Sequence, residues 1–132
     1  MLKKTITYTD YNGVERTEDF YFNLSKAEIL EMEMGTTGGF TEMVEKIVAA
    51  KDAPAIIKVF KDMVFKSYGE KSADGKRFIK SKELSEAFAQ TEAYSQLFME
   101  LATDDKKGAE FVNGVVPAEL AKASSNNLKI EK

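Results

Sequence analysis

Residues 67–81 read Ser67-Tyr68-Gly69-Glu70-Lys71-Ser72-Ala73-Asp74-Gly75-Lys76-Arg77-Phe78-Ile79-Lys80-Ser81. The stretch is polar, glycine-punctuated and rich in turn formers, and apolar residues at helical spacing flank it on both sides. Read as a connector between two helices, it makes the chain mainly α. The expected fold is an N-terminal β-hairpin at 3–23 followed by a compact bundle of about five to six helices over 26–121. Residues 1–123 then form one domain, and 124–132 a flexible C-terminal tail.

Upstream of the connector, residues 54–68 carry Ile56, Ile57, Val59, Phe60, Met63, Val64 and Phe65. This apolar stripe is wide enough to face neighbours on more than one side. Asp52 serves as its N-cap, Pro54 fits the first helical turn, where a missing N–H costs nothing, and Gly69 is a natural stop. Downstream, Ser81 caps a helix with Leu84, Ala87 and Phe88. Tyr94, Leu97, Phe98 and Leu101 follow at three- and four-residue spacing. Asp104 and Asp105 favour another helix start, with Ala109, Phe111 and Val112 before Gly114. Pro117 opens a last short turn.

Towards the N-terminus, Ser25 and Glu28 form a capping box for a helix to about residue 34. Residues 35–39 make a glycine-rich hinge, and a further helix over 40–50 carries Met43, Val44, Ile47 and Val48. Thr5 to Thr9 alternates apolar and polar residues, and Asn12-Gly13 is a hairpin turn signal. The returning strand carries Phe20 and Phe22 on one face. A lone hairpin is marginal in water, so this one must lie on the helices or pair with another edge.

Composition narrows function mainly by exclusion. The chain has 132 residues, is 43% hydrophobic and 31% charged, and carries a net charge of −3. Cysteine and histidine are both absent. That removes disulfides, thiolate nucleophiles, Cys- and His-ligated metals and triads of the Ser-His-Asp type. The acidic, interspersed charge favours neither nucleic acid nor an anionic membrane. No apolar run reaches the length of about 20 residues that spans a bilayer. The basic start lacks a signal-peptide core, and the chain reads as cytosolic where it is made.

A calcium reading of 70–81 fails its register test. With Gly75 at loop position six, Arg77 falls where an apolar residue belongs and Ser81 where a bidentate glutamate belongs. Gly38-Gly39 lacks the lysine and the strand of a phosphate loop. Glu28, Glu31, Glu33, Asp104 and Asp105 fit exposed helix faces better than a paired-carboxylate site. No catalytic, cofactor or metal residue is assigned, and an enzyme is not expected. Lys71, Lys76, Arg77, Lys80 and Lys82 around Phe78 form either a docking patch for an acidic partner or for phosphate, or a solvated loop whose Phe78-Ile79 pair tucks inward. The methionines in the apolar stripes either fill the core or form an adaptable surface for an apolar partner segment. On the second reading the partner-binding set is Met43, Ile47, Phe60, Met63, Val64, Tyr94, Phe98 and Met99.

Several segments are distinctive as strings: LSKAEILEMEM, TTGGF, SYGEKSADGKRFIKS, AFAQTEAYSQLFMELATD and FVNGVVP, in that order behind a hairpin. Over residues 5–117 the chain resembles the tail assembly chaperones of siphophages infecting Gram-positive bacteria. The resemblance implies a non-enzymatic protein without cofactor that coats the tape measure protein, keeps it soluble and promotes tail tube assembly. It implies contact with tail tube protein through a frameshifted longer form, and the polar end is compatible with such a junction. It also implies action in the host cytoplasm and absence from the mature virion. Self-association along the tape measure protein is compatible with the glycine hinges. The rival readings are a small tail or neck subunit retained in the virion, and a phage protein that binds a host factor.

Overall fold

A computed structural model describes residues 1–35 and 53–117. The element order is β1 (Leu2–Thr9), β2 (Glu15–Phe22), α1 (Lys26–Gly35), α2 (Ala53–Ser67), β3 (Tyr68–Lys71), β4 (Phe78–Ile79), α3 (Lys82–Ala89), α4 (Glu92–Thr103) and α5 (Asp105–Val115). The expected helix at 40–50, the hinge at 36–39 and the tail lie outside the described residues.

The fold is α+β, which corrects the mainly α expectation. Five helices are described beside a four-stranded antiparallel sheet in the order β1-β2-β3-β4. The error lies in residues 67–81. They are a second hairpin, with Glu70 opposite Ile79 and Lys71 opposite Phe78. Its turn is closed by Ser72 N–H donating to the Arg77 carbonyl at 2.9 Å and Gly75 N–H donating to the Ser72 carbonyl at 2.9 Å. Gly75 sits at φ 74°, in the left-handed region that favours glycine. Asp74 accepts from Ser72 Oγ and from Lys76 N–H, which fastens the loop. Gly69 is accordingly a strand residue opposite Tyr21 and does not cap α2.

The first hairpin turns through Tyr11-Asn12-Gly13. Asp10 N–H donates to the Val14 carbonyl, and Gly13 adopts φ 79°. The Asp10 carboxylate accepts from Arg16 Nε, Asn12 N–H and Val14 N–H. The β1–β2 register runs from Leu2 opposite Phe22 to Thr9 opposite Glu15. Strand periodicity sends Ile6, Tyr8 and Phe22 into the core and leaves Thr5, Thr7, Thr17 and Asp19 outside. There they pair across the strands, Thr5 with Asp19 at 2.6 Å and Thr7 with Thr17 at 2.9 Å.

Local chemistry starts and stops the helices. Ser25 and Glu28 exchange backbone-to-side-chain hydrogen bonds of 2.9 and 3.1 Å at the start of α1. Ser81, Thr91 and Asp104 accept from Leu84, Tyr94 and Lys107 N–H at the starts of α3, α4 and α5. Thr91 therefore begins a separate helix. The chain after β2 ties down two helix ends: Asn23 N–H donates to the Ser67 carbonyl and Leu24 N–H to the Val115 carbonyl. Terminal carbonyls that a helix cannot satisfy itself thus find partners at the sheet.

Helices and sheet share one core. Phe22, Leu24, Met63, Val64, Leu97 and Val115 are almost wholly buried. Phe22 meets Tyr68, Phe88 and Phe111 at ring-centroid distances of 5.6, 5.8 and 5.2 Å, and Tyr68 stacks on Phe88 at 4.4 Å. Buried Ser67 and Ser85 donate to the Met63 and Phe65 carbonyls, and no buried side-chain polar atom among the described residues lacks a partner.

One ion pair links α1 to the residue after β4. Lys80 Nζ donates to Glu28 Oε2 at 2.6 Å. Burial pushes the Glu28 carboxyl up, but the Lys80 ammonium and the Ser25 amide outweigh it and hold the group below its ordinary value. A carboxyl depressed in the folded state stabilises the fold above its unfolded pKa, and that contribution is lost as pH falls through the folded value. Thermal melts from about pH 6 down to about pH 3 should therefore show a shallower loss of Tm in Glu28→Gln than in the parent chain. Parallel profiles would remove this role from Glu28.

Candidate functional site

Two exposed features stand out, an aromatic strip on the helices and a cleft in the sheet. On α2, Ile57, Lys61 and Phe65 lie at i, i+4 and i+8 and so share a face. On α4, Tyr94 and Phe98 do the same. Phe65 meets the Tyr94 ring edge-on at 6.3 Å, and Tyr94 stacks with Phe98 at 5.7 Å. Tyr94 also meets Phe88 at 5.7 Å, which anchors the strip to the core. Phe65, Tyr94 and Phe98 are half-buried, while Ile57 is 46% and Met99 56% exposed. Lys61 Nζ stands 5.9 Å from the centre of the Phe65 ring. Burial pushes the Tyr94 phenol up, so at neutral pH it remains an uncharged, amphipathic surface. Leu30 and Met34 on α1 are exposed as well.

The sequence-derived set divides on this structure. Phe60, Met63 and Val64 are buried in the chain's own core. Gly108 of α5 lies so close to Phe60 that a Cβ there would stand 2.7 Å from its ring. Tyr94 and Phe98 come together on α4, and Met99 is exposed on another face of the same helix. Met43 and Ile47 lie outside the described residues. The set omits Ile57 and Phe65, which share a face with Lys61 at helical spacing. That amphipathic pattern is the signal that finds them.

The second feature opens where β2 and β3 part. Their pairing is limited to Tyr21 with Gly69 and Phe22 with Tyr68. Beyond it lies a cleft of about 620 Å³ lined by Glu18, Asp19, Phe20, Tyr21 and residues of β3. Burial first, then Glu70 and Glu18, pushes the Tyr68 phenol up. Lys71 Nζ sits 4.5 Å from the centre of the Tyr21 ring.

Among the described residues no group of three or more acidic side chains is placed to hold a metal ion, and no helix is long and apolar enough to cross a membrane. The strip offers apolar area with a polar rim, and the cleft offers backbone edges and carboxylates. Apolar area and open backbone edges are common ingredients of protein–protein contacts. No curated protein and no solved structure matches the chain. A family model described as "Phage tail assembly chaperone" matches residues 1–131.

Proposed function

Given that the chain belongs to the phage tail assembly chaperone family, we propose that it binds the tape measure protein, keeps it soluble and promotes tail tube assembly around it. Membership indicates a non-enzymatic role during tail assembly, with tail proteins as partners. The observation that carries the finer reading is the half-exposed strip of Ile57, Phe65, Tyr94 and Phe98 across α2 and α4. A tape measure protein is long and helical, and an amphipathic helix laid along such a strip would bury its apolar face against aromatic rings. Half-burial suits the task, because the rings are held in place by Phe88 yet keep a face for the partner. Binding in the host cytoplasm, release before maturation and recruitment of tail tube protein through a longer form complete the proposal.

Co-expression with the tape measure protein of the same phage tests this reading. The parent chain should hold that protein in the soluble fraction and co-purify with it. Ile57→Glu, which alters an exposed side chain, and Phe98→Asp should each lower the captured amount about tenfold or more. Circular dichroism must show that both variants remain folded. Undiminished capture by folded variants would remove the strip from the mechanism. Mass spectrometry of purified virions should find the chain absent, and a stoichiometric amount there would favour a retained tail subunit.

A further inference from the structure

The outer side of β2 is an unpaired strand edge in an acidic, aromatic cleft. Hydrogen-bond parity establishes the edge. Asp10 donates to Val14, so in the β1–β2 register the even-numbered residues of β2 bond to β1. Asn23 donates to Ser67, so the odd-numbered residues point towards β3. Pairing with β3 stops at Tyr21. The N–H and C=O groups of Glu15, Thr17 and Asp19 therefore point outward with no strand opposite them among the described residues. Across the cleft, Ser72 donates to Arg77, which assigns the even residues of β3 to β4 and turns the peptide groups of Lys71 towards β2.

The lining gives this edge a chemical preference. Phe20, Tyr21 and Tyr68 supply ring surface. Glu18 and Glu70 share a face with Phe20 and Tyr68, while Asp19 and Lys71 share the opposite face with Tyr21, whose ring Lys71 covers. Carboxylates outnumber amines here even with Arg16, which stands 3.7 Å from Glu18. Glu18 accepts from the Tyr8 hydroxyl and Asp19 from Thr5 Oγ1, so each is held in position. A strand edge with this charge is complementary to cations.

We propose that the β2 edge takes an extended, basic segment of another protein as an added strand. The backbone of the segment bonds to Glu15, Thr17 and Asp19. Its lysines or arginines, at alternate positions, meet Glu18 and Glu70, and the apolar side chains between them lie on the opposite face beside Tyr21. About five extended residues span this length at roughly 3.3 Å each. A helix cannot occupy the edge, since its own ladder uses its peptide groups. The site is thus separate from the aromatic strip and does not depend on it.

Titration of the full chain with the labelled peptide Lys-Val-Lys-Val-Lys-Val-Lys, followed by backbone NMR, tests the proposal. Shifts should concentrate at Thr17, Asp19, Tyr21 and Lys71. The glutamate counterpart of the peptide should bind about tenfold more weakly, and the Glu70→Lys chain should lose about tenfold for the basic peptide. A peptide N-methylated at alternate residues should fail to bind, because it cannot complete the ladder. Equal binding of basic and acidic peptides, undiminished binding of the methylated one, or shifts confined to α2 and α4 would each overturn the assignment. So would a concentration-dependent dimer that occupies the edge and resists the peptide, which would give it to a second copy.

Discussion

Phe22→Ala should cost about 3–5 kcal/mol of stability, the usual toll of emptying a phenylalanine site in a packed core. The side chain is fully buried, and its ring touches Tyr68 of β3, Phe88 of α3 and Phe111 of α5. Three elements from distant parts of the chain thus lose a shared contact at once, and they can close the space only by moving relative to one another. Against a total stability of about 5–15 kcal/mol, this is a large fraction. Urea denaturation is the measurement, with a lowered midpoint at an unchanged slope as the expected result. Met99→Ala supplies the contrast, since an exposed site should change stability by no more than about 0.5 kcal/mol. A loss below about 1 kcal/mol for Phe22→Ala would mean that the rings do not carry the junction.

Gly69→Ala should have the next largest effect, about 1–3 kcal/mol by overpacking. A Cβ at this position would lie 2.6 Å from the Ile79 carbonyl oxygen and 2.8 Å from the Phe78 ring. The nearest atom belongs to backbone and cannot swing aside as a side-chain tip would. β4 has only two residues, so the easiest relief is to lift it from β3. Amide exchange at Glu70 and Ile79, which oppose each other across the ladder, should quicken more than exchange in the β1–β2 hairpin. Uniform quickening throughout the chain would show global destabilisation instead of local release of β4.

Phe60 has a related lesson for the tape measure hypothesis. A polar residue there would attack the chain's own core, where the ring lies 3% exposed against Gly108. Loss of partner binding by such a variant would report unfolding. Substitution of Ile57 on the strip is informative because that side chain already faces solvent.

Much of the fold was legible locally. Asn12-Gly13 between alternating strands announces the first hairpin, and Ser25, Ser81 and Asp104 mark helix starts with their own side chains. Each signal acts within four residues, so composition and spacing reveal it. The exclusion of cysteine and histidine chemistry needed only the residue count.

Residues 67–81 could not be read in this way. Strands of four and two residues are too short to display a period, and Tyr68-Gly69 fits a helix end as well as a strand. What decides between them is pairing with Tyr21 and Phe22, more than 40 residues earlier in the chain. The same limit governs the candidate site. Helical spacing identifies an apolar face but not what covers it. Phe60, Met63 and Val64 become core because the sheet and neighbouring helices close over them, while Phe98 keeps a half-open ring and Met99 stays in water. Local chemistry determined where most elements begin and turn. Long-range packing alone decided which apolar residues the chain keeps for itself and which it leaves exposed.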